Sequence, residues 1–244
     1  RRVSGAAIPW SLAMRRFYKI ACRAVSRLKG RRHVFIITYG RSGSTLLMNL
    51  INSADGCCIR GENNAALYDL YRSYAALASA SENSAYSKNS HLETSPWFGL
   101  SQVSVSRYGK RLAKVFSDEV IRPRMTDCLI GFKEIRHSKN ITPDFHGYIK
   151  FIQNNFSNAK IVFNHRNLAD VSKSKWWASS PNGLNTLMEI EESFNQHVDP
   201  GRYFHFYYDT ALKDRSHVEE LYTFLGIEFV PLKIEDVFSL RHSY

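Results

Sequence analysis

From His33 onward, short apolar runs alternate with stretches whose apolar residues recur every three or four positions. The runs 34–38, 57–60, 129–133, 160–164 and 203–208 read as strands. They are nearly continuous rather than alternating, as in parallel strands covered on both faces. Between them, helical spacing marks 45–54, 64–80, 99–117, 144–156, 168–177, 184–197 and 215–225. This order predicts an α/β fold: three layers, with a mostly parallel central sheet and helices on both faces. The Ser/Asn/Glu-rich stretch 79–95 reads as a mobile loop, and Asn182 with Gly183 marks another. There is no internal repeat.

Ahead of this pattern, Trp10, Met14, Phe17, Ala21, Ala24 and Leu28 step by three and four, with Pro9 suited to a first helical turn. Residues 1–32 hold ten of the 33 Lys and Arg and no Asp or Glu, which leaves 23 basic and 22 acidic residues elsewhere. The net charge of +11 therefore belongs to a basic amphipathic leader, 1–32, and the domain 33–244 is nearly neutral. Such a domain lacks the basic face that nucleic acid requires. The leader fits a helix packed on the domain or a neighbouring subunit, a peripheral membrane contact, or a targeting remnant.

A chain of 244 residues suits one domain with a self-sufficient core. Its four cysteines have no metal-ligand spacing, and Cys57 and Cys58 are adjacent, which favours a reducing compartment and a cytoplasmic location. The first residue is Arg rather than Met, which reads as a trimmed chain and leaves membrane association and a secretory route open. No run of about 18 apolar residues is present to span a bilayer. Two N-x-[ST] sequons, at Asn140 and Asn155, count as incidental unless the protein is secretory.

The chemistry starts at Gly40-Arg-Ser-Gly-Ser-Thr45, where a strand hands over to a helix. Free backbone N–H groups and a helix dipole of about half a charge favour an oxyanion there. A nucleoside-triphosphatase loop reads G-x-x-x-x-G-K-[ST]. In that register Ser44 occupies the lysine position and Thr38 the first glycine, and no later strand ends in the Asp that would hold Mg²⁺. Arg41 supplies charge from inside the loop instead, which suits a phosphate bound without a metal. A second segment, 160–177, ends a strand at Arg166 and continues as a helix. Ser174 lies two helical turns on, so a guanidinium and a hydroxyl can grip one phosphate from two sides.

Together these segments resemble the sulfotransferases that use 3′-phosphoadenosine 5′-phosphosulfate (PAPS), of carbohydrate or bacterial type, with a P-loop-like fold. The family's 5′-phosphosulfate loop, T-Y-P-[KR]-S-G-[ST]-[ST], is similar to Thr38-Tyr-Gly-Arg-Ser-Gly-Ser-Thr45, with Gly40 for the usual proline. Its 3′-phosphate element, R-[ND]-x-x-D-V-x-x-S, is matched by Arg166 to Ser174. A later Tyr-Glu-Asp-Leu element resembles "FYYDTALKD", with Tyr207 at the nucleotide-contact tyrosine and Tyr208 where Glu is usual. The likeness spans roughly 33–230, and "SLRHSY" resembles the start of a C-terminal nucleotide loop. The resemblance implies PAPS as donor and PAP as product, with no metal required. It assigns donor binding to Arg41, Ser42, Gly43, Ser44, Thr45, Leu46, Arg166, Ser174 and Tyr207. It also implies a hydroxyl-bearing acceptor, a glycan or glycolipid.

Sulfuryl transfer needs a base for the acceptor's proton, cations near the bridging oxygen, and exclusion of water. Glu62, after the second strand, returns to the mouth of the loop, where related enzymes carry their base. Glu134, after the third strand, sits where other relatives carry a catalytic histidine, and His137 lies nearby but out of register. Lys133 and Arg41 are the candidate cations. Strand alternation sends Lys133 and Glu134 to opposite sides. Trp176 and Trp177 fit core packing, with adenine stacking or the acceptor entrance as alternatives. The competing functions are a P-loop nucleotide kinase, which would need Mg²⁺ and a loop lysine, and a non-catalytic nucleotide-binding or membrane-associated scaffold.

Overall fold

The structure is a computed structural model that describes residues 31–240. The leader helix read at 1–32 and the final residues of "SLRHSY" fall largely outside that range. Arg32 belongs to the sheet rather than to a leader: it opens the first strand and donates to the Leu225 carbonyl at 2.6 Å.

Five strands form one parallel sheet: β1 (Arg32–Ile37), β2 (Cys57–Arg60), β3 (Leu129–Glu134), β4 (Lys160–His165) and β5 (Tyr203–Tyr207). Eleven α-helical segments accompany them among the described residues. The first five are α1 (Ser44–Ser53), α2 (Ala66–Glu82), α3 (Ser84–Ser87), α4 (Val105–Val115) and α5 (Phe145–Asn155). The rest are α6 (Leu168–Ser172), α7 (Lys175–Ala178), α8 (Gly183–Asn195), α9 (Tyr208–Lys213), α10 (Ser216–Leu225) and α11 (Pro231–Ser239).

The strand order is β2-β3-β1-β4-β5. The chain builds β1, β2 and β3 on one side of the sheet, then crosses β1 to lay down β4 and β5. Loops leaving the carboxyl ends of β1 and β4 therefore diverge, which opens a crevice at that edge. Residues 33–37 of β1 are all buried, which explains its unbroken apolar run. Phe35 and Ile37 join one core with α2, α4, α5 and α8, rich in aromatic rings. Val34 and Ile36 join the other, with α1, α10 and α11. These are the two covered faces that the sequence predicts.

Several predicted elements differ in detail. The 79–95 stretch is not wholly loop, since α2 runs to Glu82 and Asn83 caps α3 by accepting from Ala85 N–H. The 99–117 helix starts at Val105 behind a Ser104 cap and widens into a π-helical turn at Phe116–Ile121. The 168–177 helix breaks at Lys173 and Ser174. The fifth strand stops at Tyr207, and α9 begins at the next residue. No helix of the described residues is long and apolar enough to cross a membrane.

Candidate active site

The phosphate loop joins β1 to α1 at the crevice. Thr38 Oγ1 donates to the Asn164 carbonyl at 2.9 Å and lies 2.7 Å from Ser42 Oγ, so the Thr38 hydroxyl stitches the loop to β4. The Asn164 amide adds a bond to the Ser42 carbonyl at 3.0 Å. Arg41 and Gly43 adopt left-handed backbone, at φ 68° and 79°, and Gly43 is the N-cap of α1 with no side chain to close the first-turn N–H groups. That geometry leaves an anion cradle.

Two aromatic rings clamp this loop. A Cβ at Gly40 would run into the ring of Trp176, and one at Gly43 into the ring of Tyr208. Trp177 Nε1 donates to the Gly40 carbonyl at 2.8 Å. Gly40 therefore replaces the usual proline for a packing reason: the Trp176 ring occupies the space a proline ring would need. Neither tryptophan is simple core, since Trp176 is half exposed and Trp177 spans core and loop.

The second segment meets the first through Arg166. Its Nη1 donates to the Arg41 carbonyl at 3.0 Å, and its guanidinium lies 4.7 Å from the Tyr208 ring centroid. Asn167 caps α6 by accepting from Ala169 and Asp170 N–H, and its own N–H is held by Asp209 Oδ2 at 2.8 Å. Arg166 Nε and Ser174 Oγ are buried without a hydrogen-bond partner. Ser174 occupies the N-cap of α7, yet its hydroxyl does not cap it. A buried unpaired polar group costs about 1–3 kcal/mol, and these two could bond a ligand's oxygens. A cavity of about 350 Å³ opens at Arg166, lined also by Arg41, Gly43, Thr45, Leu46 and Tyr208 among others, with Ser174 outside its lining. A larger one, about 480 Å³, lies at the amino ends of the strands between Arg31, Lys110 and Ser157, away from both loops.

The carboxylates lie at the ends of β2 and β3. Lys133 is buried and makes an ion pair with Glu62, whose side chain is 39% exposed. Glu134 is 1% exposed. Its Oε2 accepts from Asn63 and Ala65 N–H at 3.1 and 2.9 Å, and its Oε1 from Ile135 and Arg136 N–H at 2.9 and 3.3 Å. Asn64 and Ala65 are consecutive non-glycine residues with positive φ, 58° and 60°. Such a turn stores strain that its surroundings must sustain, and the Glu134 carboxylate does so. Lys133 and Glu134 do not diverge as alternation predicts: both side chains grip the 62–65 turn. The Glu134 carbonyl accepts from Thr38 N–H at 3.1 Å, which sets this cluster beside the phosphate loop. His137 is fully enclosed and donates through Nε2 to the Glu134 carbonyl at 3.2 Å. Burial pushes its pKa down to about 4 against the pull of Glu134, so it is neutral at physiological pH.

The sequence model described as "Sulfotransferase family" matches residues 33–231, across both phosphate segments and the carboxylate cluster. The chain belongs to the sulfotransferase family. Solved structures similar to it include the sulfotransferase domain of the Synechococcus PCC 7002 olefin synthase, with 15% identity, coverage of 86% of this chain and 78% of that one, and a TM-score of 0.49. The sulfotransferase domain from the curacin biosynthetic pathway has 14% identity over 86% and 79% of the two chains, with a TM-score of 0.46. Sulfotransferase STF1 from Mycobacterium tuberculosis H37Rv has 10% identity over 94% and 78%, with a TM-score of 0.42. No curated protein matches the chain.

Within this sulfotransferase, Arg41, Gly43, Thr45, Leu46 and Arg166 share one cavity, and Glu62, Lys133 and Glu134 form an adjoining cluster. Ser42 is wholly buried, with its hydroxyl on Thr38 and its carbonyl on the Asn164 amide, so it shapes the loop from beneath. Ser44 is 5% exposed in the first turn of α1. Tyr207 stacks on His165 at 4.9 Å and is absent from the cavity lining. Tyr208, where the family pattern usually has Glu, lies over Gly43 and under Arg166 instead. The signal that could have found it is an aromatic directly after a strand end, at the first residue of a helix.

Proposed function

We propose that this sulfotransferase moves the sulfuryl group of PAPS to the hydroxyl of an acceptor, with Glu62 as base. The observation that carries the donor assignment is the pair of buried, unpartnered atoms Arg166 Nε and Ser174 Oγ beside the phosphate loop. They fit a 3′-phosphate, while Arg41 and the first-turn N–H groups of α1 fit the 5′-phosphosulfate. Tyr208 offers a ring face at the cavity wall and backs Arg166.

PAPS, when bound, supplies the sulfuryl group and leaves as PAP. Lys133, paired with Glu62 in the free protein, turns to the bridging oxygen and frees the carboxylate. Glu62 then takes the acceptor's proton as the new oxygen–sulfur bond forms and the sulfur–bridging oxygen bond breaks in line. Arg41 and Lys133 hold the charge that develops on the phosphate, so the chain's own cations do what Mg²⁺ does in phosphoryl transfer. Glu134 acts on the position of Glu62 and touches no reacting atom. A glycan or glycolipid is the proposed acceptor class, since relatives with a glutamate base often act on sugars.

The test is calorimetry with PAP and AMP, followed by transfer from ³⁵S-PAPS to a panel of glycans, lipids, phenols and peptides. PAP binds at least about tenfold more tightly than AMP if Arg166 and Ser174 bond the 3′-phosphate, and transfer continues in excess EDTA. Equal affinity for the two nucleotides overturns the donor assignment.

A further inference from the structure

Arg166 must stand at a fixed distance from the phosphate loop for one nucleotide to touch both. The loop belongs to the end of β1 and Arg166 to the end of β4, and each is followed by an irregular turn. Besides the Arg166 Nη1–Arg41 carbonyl bond and the Asn164 contacts, one hydroxyl links the loop to the Arg166 backbone. Tyr39 OH accepts from Arg166 N–H at 2.9 Å and donates to Glu191 Oε1 at 2.5 Å. Burial and the neighbouring Glu191 push the Tyr39 phenol well above its ordinary range, so it stays a donor.

Glu191 lies on α8, outside both phosphate motifs, with its side chain 16% exposed. Its second oxygen, Oε2, faces His165 Nδ1 at 2.5 Å. The proton positions along this chain follow from its far end. His205 Nε2 lies 2.7 Å from the His197 carbonyl, which can only accept, so His205 Nε2 carries hydrogen. Its Nδ1, with burial holding the ring neutral, then presents a lone pair. His165 Nε2, 2.9 Å away, must donate to that lone pair. His165 Nδ1 faces Glu191 Oε2. The donors run from Arg166 N–H through Tyr39 OH to Glu191, whose oxygen at 2.5 Å is nearer to the phenol than the Arg166 carbonyl at 3.1 Å.

We infer that Glu191 is a positioning residue for donor recognition: through Tyr39 it holds the Arg166 turn in register with the phosphate loop. The inference rests on the PAPS reading above. It gives one carboxylate a share in the spacing between two phosphate grips, alongside the Arg166 Nη1–Arg41 carbonyl bond. Asp209 tethers the next residue, Asn167, through its backbone N–H.

Calorimetry on Glu191→Ala, Glu191→Gln and Tyr39→Phe, with PAP and AMP, tests it. Glu191→Ala removes the short acceptor of Tyr39 OH, leaving the phenol only the Arg166 backbone, its N–H at 2.9 Å and its carbonyl at 3.1 Å, and takes away the partner of His165 Nδ1. It is expected to weaken PAP by about tenfold or more while AMP changes less than about twofold, because only the 3′-phosphate reaches Arg166. Glu191→Gln keeps an acceptor for Tyr39 and a donor for His165, so it restores PAP affinity to within about threefold of wild type. Tyr39→Phe cuts the same link with its ring still stacked on Phe194, and reproduces the selective loss should Glu191→Ala fail to fold. A wild type that prefers PAP alongside variants that prefer it equally overturns the inference, as does a parallel loss of both nucleotides. A wild type that binds both equally removes the donor reading and this inference with it.

Discussion

Glu62 and Glu134 each follow a strand end, and no pattern of neighbouring residues separates them. Their surroundings do. Glu134 spends both oxygens on four backbone N–H groups in a buried site, whereas Glu62 is part exposed and bound only to a lysine. Glu62→Gln is expected to lower kcat by about 10²–10⁴ with PAP affinity unchanged. Glu134→Gln turns an amide against backbone donors, and should cost about 1–3 kcal/mol of stability in urea melts. Full turnover by Glu62→Gln would remove it as the base. Both carboxylates were legible as candidates in the sequence. The choice between them was not, because it depends on a strained turn brought to β3 from far along the chain.

At the scale of elements, the phosphate loop is shaped as much by α7 and α9 as by its own residues. Gly40→Ala is expected to cost about 1–3 kcal/mol, since its Cβ must displace Trp176. Because Trp176 is half exposed, the double variant Gly40→Ala/Trp176→Ala should recover most of that loss. Thermal melts of the two variants decide it: a neutral single change means that the ring does not clamp the loop. The five strands were readable because continuous apolar runs admit few other structures. The break at Lys173 and Ser174 was not, because apolar spacing across 168–177 suits one helix as well as two short ones. The later helix α11 did carry a signal, Pro231 in its first turn and Ile234, Val237 and Phe238 at helical spacing.

Across the whole molecule, histidine burial sets the response to pH. Burial lowers the pKa of His33, His137, His197 and His205, that of His137 to about 4. The unfolded chain, with histidines near 6.5, binds more protons than the folded one between these values. The contribution of His137 is thus whole above pH 6.5 and is lost as pH falls towards 4. It is expected to be on the order of 2–3 kcal/mol. His137→Phe keeps the ring packed against Phe145 and Tyr148 and should flatten the fall of stability between pH 6.5 and 5 by about one proton. An unchanged slope in calorimetric scans would place the titration elsewhere. At this scale the alternation of elements foretold the layers, but not the strand order, which depends on which crossover covers which face.

The turn that carries Glu62 also has a consequence for how the chain acquires its chemistry. Residues Asn64 and Ala65 adopt backbone angles that non-glycine residues avoid, and the carboxylate that stabilises Ala65 lies 69 residues later. As the chain emerges from the ribosome, β1 and β2 have no strand to join them until β3 is made, and Glu62 has no fixed place until then. Closing so long a loop is entropically costly and comes late. The base is therefore set when β3 docks, and the phosphate cradle, held by Asn164 of β4 and clamped by Trp176 and Tyr208, is completed only by segments later in the chain.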